Sequence, residues 1–288
     1  MGTSQSSSGP GGGVPMVPPW TPPATPAPGA PDGGAPGAGP PADGDGQDAP
    51  PPAQAAPAPP PRLAPPGRFQ AVRLNLGEYS RTGDGRALRR GLGQYVRNGY
   101  GGAATATRRF GGTARTAGAL SNALAGLAGG DASAAQAGLD RPLLAGRTAD
   151  EIMDAVVEAV RPIDGTQDAE AERASIRDAM TDLLTVHPDA DLLNLDPAQR
   201  ALVVERFAAS DVFRRFDLDV GKALRDKAPS AAAAMSRLKQ VRDYIREAVA
   251  AAFRQLRDAG HAVTAGRVSE VVRDALRETF TVFEGYAE

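Results

Sequence analysis

Of the 26 prolines in this chain, 21 fall before residue 68. Residues 7–67, SSGPGGGVPMVPPWTPPATPAPGAPDGGAPGAGPPADGDGQDAPPPAQAAPAPPPRLAPPG, hold little else but Pro, Gly and Ala. Proline removes backbone donors and glycine resists ordering. Almost no apolar side chain is present to offset the entropy of folding. The composition predicts residues 1–67 as a long disordered Pro/Gly/Ala-rich N-terminal arm, partly polyproline II. The fold is thereby confined to about 220 residues, enough for a sizeable core. One piece of the arm departs from the pattern. Residues 13–20 (GVPMVPPW) gather Val14, Met16, Val17 and the single tryptophan, Trp20. They read either as a docking peptide for a partner or as a chance apolar patch.

Aromatic residues make up 5% of the chain, so the core must be built from Ala, Leu and Val. There is no cysteine, which excludes disulfides and thiolate metal sites and fits a reducing compartment. The N-terminus has no basic region followed by an apolar one, so no secretory signal is read there. No stretch reaches the ~18 apolar residues of a membrane helix. The expectation is a cytoplasmic protein without a membrane partner.

The net charge of -2 conceals a strong asymmetry. Residues 1–61 carry four aspartates and no basic residue. Residues 68–130 carry ten arginines against Glu78 and Asp84, while residues 131–288 are acidic on balance. Arg73, Arg81, Arg86, Arg89, Arg90, Arg97, Arg108, Arg109 and Arg115 concentrate between residues 73 and 115. A guanidinium grips carboxylates and phosphates alike through paired donors. The segment therefore suits an acidic protein partner, with Arg89, Arg90, Arg108, Arg109 and Arg115 as contacts. The alternative is a nucleic-acid-binding module using residues 73–115. It lacks aromatic interleaving and any DNA-reading motif, which favours protein contact.

Three parts follow: the arm 1–67, a basic Gly/Arg-rich and partly helical segment 68–130, and an all-helical domain 131–288 ending in a long helical hairpin. Phe69, Val72, Leu74 and Leu76 alternate loosely and suggest an extended lead-in over 68–82. A helix bearing Leu88, Leu92, Tyr95 and Val96 then stops at Asn98-Gly99. YGGAATATRR (100–109) is echoed by FGGTARTAGA (110–119), where the glycines either break the chain or let helices approach closely. A small-residue helix spans 112–129. Further on, Thr148 with Glu151 forms a capping box, and Asp196 with Pro197 and Gln199 starts another helix. Ser210 is read as starting a further short helix. After Pro229, Met235, Leu238, Val241, Ile245, Val249, Phe253 and Leu256 form one apolar seam. Gly260 ends that helix and Thr264 caps the last one. No set of strands appears after residue 80, and the fold class is all-α.

Residues that carry chemistry are scarce. His187 neighbours Asp189 and Asp191, but no HExxH or second ligand cluster supports a metal. His261 falls in the hairpin turn, and Asp217 and Asp219 read as cap residues. GPGGG (9–13) lacks the Lys-Ser/Thr of a phosphate-binding loop and a preceding strand. No nucleophile has a recognisable setting. The reading is a protein without catalytic residues, metal or cofactor, and not an enzyme.

The opening MGTSQS has the form of a myristoylation signal. Its simpler consequence is that small Gly2 lets Met1 be removed and leaves a glycine amine on a polar tail. An arm of about 60 residues gives that amine a reach of roughly 40 Å.

MGTSQSSSGPGGGVPMVPPW, the Pro-rich arm, and RRGLGQYVRNGYGGAATATRRFGGTARTAGAL (89–120) together resemble the B-component family of the Qat anti-phage defence system. The resemblance implies action beside a P-loop ATPase, a QueC-like enzyme and a TatD-like nuclease. It also implies that the QueC-like enzyme modifies the N-terminus with a deazaguanine group. On this chain the acceptor would be Gly2, presented by Thr3 and Ser4. No catalytic residue is implied, because the family member serves as substrate and partner.

Overall fold

A computed structural model describes residues 67–129, 139–261 and 266–287. Residues 1–66 lie outside the described residues, and with them the disordered arm, Gly2 and the 13–20 peptide. The described residues form helices and no strand, in agreement with the all-α expectation.

The first helix, α1 (Gln70–Thr82), replaces the expected extended lead-in. Val72, Leu76 and Tyr79 are buried at helical spacing, whereas Leu74 is 70% exposed. Leu74 supplied the false period of two. Asp84 caps α2 (Gly85–Gln94) by accepting from the Arg86 N–H. The chain does not stop at Asn98-Gly99 but winds through a π-helical turn, Tyr95–Tyr100. Gly101 and Gly102 then adopt positive φ and break it. α3 (Ala103–Arg109) is followed by α4 (Gly111–Gly129). The two glycine pairs thus do different work. The first ends a helix, and the second begins one, with Gly112 leaving room for the Glu172 side chain.

A single turn, α5 (Arg141–Leu144), leads to α6 (Ala149–Val160), whose Thr148–Glu151 capping box is present. α7 (Gln167–Val186) precedes α8 (Pro197–Phe216), which opens with the Asp196–Gln199 capping box. Ser210 starts no new helix. It lies inside α8 and donates from Oγ to Asp178, so its hydroxyl is used between helices rather than as a cap. A second π-helical turn, Asp217–Gly221, joins α8 to α9 (Lys222–Lys227). α10 (Ala231–Asp258) starts at Ser230, whose side chain accepts from the Ala233 N–H. α11 (Val268–Gly285) completes the fold, and Thr264 lies outside the described residues.

α4, α8 and α11 form the centre. α11 touches α2, α3, α4, α8 and α10, and α8 also packs on α7. Leu120, Leu124, Val204, Phe207, Leu276 and Phe280 are fully buried there. Each such side chain contributes about 1.5–3 kcal/mol by leaving water. Ala114, Ala117 and Ala123 keep α4 thin, so neighbouring helices approach closely. Phe69, Tyr95, Tyr100, Phe110 and Phe280 run as a chain of ring contacts from the first helices into that centre.

Candidate functional site

The arginines singled out from the sequence lie on three elements. Arg89 and Arg90 are on α2, Arg108 and Arg109 end α3, and Arg115 is on α4; all five are exposed. Arg90 reaches Glu78 at 3.3 Å and Asn75 at 3.3 Å. Among the described residues it is the one arginine between 68 and 115 that has a carboxylate within ion-pair distance. The later helices differ: Arg147, Arg161, Arg173, Arg214, Arg215, Arg225, Arg246 and Arg257 all meet carboxylates. Most arginines of the later helices are thus paired, though Arg206 and Arg242 are not, whereas among the described residues those of the basic segment other than Arg90 have no carboxylate within ion-pair distance.

These arginines do not converge on one pocket. Arg109 lies over the Tyr100 ring, 5.7 Å from its centroid. With Arg68, Arg215, Asp168 and Asp219 it lines a pocket of about 310 Å³. Arg89 instead is close enough to act electrostatically on Tyr244, whose hydroxyl donates to Tyr286 at 2.9 Å. The five arginines are exposed on three successive elements and share no single pocket.

Asp217 and Asp219 are not simple caps. Asp217 forms a two-pronged ion pair with Arg225 at 2.7 and 2.8 Å. Asp219 accepts from the hydroxyls of both Tyr95 and Tyr100 at 2.9 Å. It ties the first π-helical turn to the second, and such turns are kept where a regular helix would misplace a side chain. Burial, then the nearby Asp219 charge, holds the Tyr100 hydroxyl well above its ordinary range. Tyr100 is therefore a donor throughout the physiological range.

A buried ionic cluster escaped sequence reading. Arg215 meets Asp211, Glu172 and Asp168 at 3.2–3.3 Å, and Thr116 and Arg161 also reach Glu172. The Arg215 guanidinium lies 5.1 Å from the Phe110 ring centroid. The i,i+4 pair Asp211/Arg215 was the signal available, but nothing in the sequence brings Glu172 to it. His187 is exposed where α7 ends, its backbone N–H donating to the Leu183 carbonyl. Among the described residues, no group of three or more His, Asp or Glu side chains could hold a metal ion. None of the described helices is long and apolar enough to cross a membrane.

No curated protein and no solved structure matches this chain. The profile of the family described as Qat anti-phage system associated protein QatB matches residues 101–283. That match starts at the Gly101-Gly102 break and runs through α11, so it takes in the α4–α8–α11 centre and most of the described fold. The chain belongs to the QatB family of Qat anti-phage system associated proteins.

Proposed function

We propose that this chain is a non-catalytic, cytoplasmic component of a Qat defence complex, carrying a modifiable N-terminus on a helical docking domain. The observation that supports the docking role is that, among the described residues, the arginines of residues 68–115 other than Arg90 have no carboxylate within ion-pair distance. Arg89, Arg90, Arg108, Arg109 and Arg115 would take an acidic face of the P-loop ATPase or the TatD-like nuclease. Val14, Met16, Val17 and Trp20 would dock in an apolar groove of a partner. The QueC-like enzyme would supply the chemistry, activating a carboxyl group on the deazaguanine so that the Gly2 amine displaces its activated oxygen, loses a proton and forms an amide-type bond. Intact-mass spectrometry of protein made with and without the neighbouring enzyme tests the modification. The expected result is an added mass that disappears when a residue is inserted before Gly2, with loss of phage protection. Protein of residues 2–288 with no added mass in both preparations would refute it.

A second reading, nucleic-acid binding, draws on the same arginines. Phosphate binding releases counterions and weakens steeply with salt. Retention of DNA or RNA at physiological salt, lost when Arg89, Arg90, Arg108 and Arg109 become Ala, would favour it over protein contact.

A further inference from the structure

A groove of about 230 Å³ runs between α7, α8 and α10, away from the arginine face. Each helix contributes side chains one turn apart: Asp178 and Asp182, Arg206 and Ser210, Arg242 and Arg246. The two carboxylates are already engaged. Asp178 accepts from Ser210 Oγ at 3.0 Å and from Arg214 at 2.6 Å. Asp182 pairs with Arg246 at 3.1 Å.

Arg206 and Arg242 are left over. Among the described residues neither has a carboxylate within ion-pair distance. Arg206 is half-buried, and its Nε is sealed from solvent with no acceptor. The sealed Nε cannot itself meet a ligand in the groove, but its desolvation adds to the worth of any acceptor that reaches the rest of the Arg206 guanidinium. Burial, and then the adjacent Arg246 charge, lowers the Arg206 pKa. Three guanidinium groups line the groove against Asp182, held by Arg246, and Asp178, held by Arg214, so positive charge is in excess there and favours an anion.

We infer that the groove formed by Arg206, Arg242 and Arg246 binds a phosphate group. Guanidinium forks match phosphate oxygens in pairs. Phosphate offers three free oxygens where a carboxylate offers two, which suits three guanidinium groups, one on α8 and two on α10. After Asp182 and Arg214-bound Asp178 are counted, about two positive charges remain, matching a phosphate monoester at neutral pH. The groove is larger than a bare ion fills, so it has room for a group carrying the phosphate.

The test is calorimetric titration of the full chain with adenosine 5′-monophosphate and with inorganic phosphate, each against sodium chloride of equal ionic strength. Saturable binding of one per chain is expected. Arg206→Gln and Arg242→Gln should each weaken it about tenfold or more, the loss of a charge-assisted contact. Arg206→Lys, which keeps charge without the fork, should fall between. Arg147→Gln and Arg277→Gln, exposed and outside the groove lining, should leave it unchanged. Tighter binding of the nucleotide identifies a phosphate ester as the ligand, and equal binding identifies the free ion. Binding no better than chloride, or binding that survives Arg206→Gln and Arg242→Gln, overturns the inference. Arg242 is exposed, so its variant decides the matter should Arg206→Gln disturb folding.

Discussion

The Asp211 carboxylate lies one helical turn before Arg215 and 3.3 Å from its Nε, with no side-chain exposure of its own. Thr113 donates to its Oδ2 at 2.5 Å, while Oδ1 has no partner among the described residues. Arg215 is shared with Glu172 and Asp168, so one guanidinium faces three carboxylates. Burial outweighs that shared cation and pushes the Asp211 carboxyl up to about 6.

A pH dependence follows. The unfolded value is near 3.9, so the folded state binds the extra proton between about pH 4 and pH 6. Asp211's contribution is full below pH 4 and is lost as pH rises through 6. The swing is on the order of 2–3 kcal/mol. Asp211→Asn keeps an acceptor for Thr113 and removes the titration. Thermal melts across pH 4–8 should show wild type losing stability relative to this variant as pH rises. Parallel curves would show that the carboxyl is ionised throughout.

Gly93, in the buried face of α2, makes a prediction opposite to helix propensity. Exposed helical Gly→Ala changes commonly gain up to about 1 kcal/mol. Here an added Cβ would strike the backbone of Tyr286 and Ala287, just past α11. Backbone cannot rotate aside as a side chain can. Gly93→Ala should therefore lower stability by about 1–3 kcal/mol, measured by denaturant unfolding. Gly85→Ala, which meets nothing within 4 Å, is the control.

What the sequence disclosed depended on range. Capping boxes at Thr148 and Asp196 are local, three-residue signals, and both stand in the structure. The α10 seam was legible for the same reason. α1 was misread because Leu74 sits on the outer face and imitated a strand's alternation. Ser210 was misread because a helix-starting residue and an interhelical donor look alike until Asp178 is placed beside it. The charge asymmetry marked the arginine-rich segment. That its arginines other than Arg90 have no carboxylate within reach, while most of those on the later helices do, depends on which helices pack together. No periodicity encodes that. The Arg206 groove is hidden in the same way, since its three helices become neighbours only in the fold.

The arginine face should be dispensable for folding. Arg108 contacts only Thr105, one turn away, and Arg115 makes no side-chain hydrogen bond or ion pair among the described residues. Surface changes of this kind stay within about 0.5 kcal/mol. Arg108→Glu with Arg115→Glu should leave thermal melting almost unmoved while abolishing co-purification with the other Qat components. A large drop in melting temperature would mean that the face is structural. Unchanged co-purification would place the partner contact elsewhere.

The seam of α10 gives a graded prediction along one helix. Ile245 is 1% exposed and Val249 0%, packed in the core, while Met235 on the same seam is 71% exposed. The sequence treated all seven seam positions as equivalent, but in the first turn it is Ala234 that is buried, and Met235 beside it faces solvent. Changing Ile245 or Val249 to Asp places a carboxylate among apolar side chains with no cation to meet it. Desolvation of the charge, or the shift in proton affinity needed to avoid it, should cost several kcal/mol. Loss of the aliphatic contacts adds to that. Met235→Asp should cost no more than about 0.5 kcal/mol, since its side chain stays in water in either form. Denaturant unfolding of the three variants should place Val249→Asp and Ile245→Asp together and far below Met235→Asp. If all three unfold with the wild type, the middle of α10 is not buried in the isolated chain, and the α10–α11 packing described above is wrong. If Met235→Asp is as damaging as the others, the exposed turn is covered in solution, and sedimentation of wild type against that variant would show which assembly covers it.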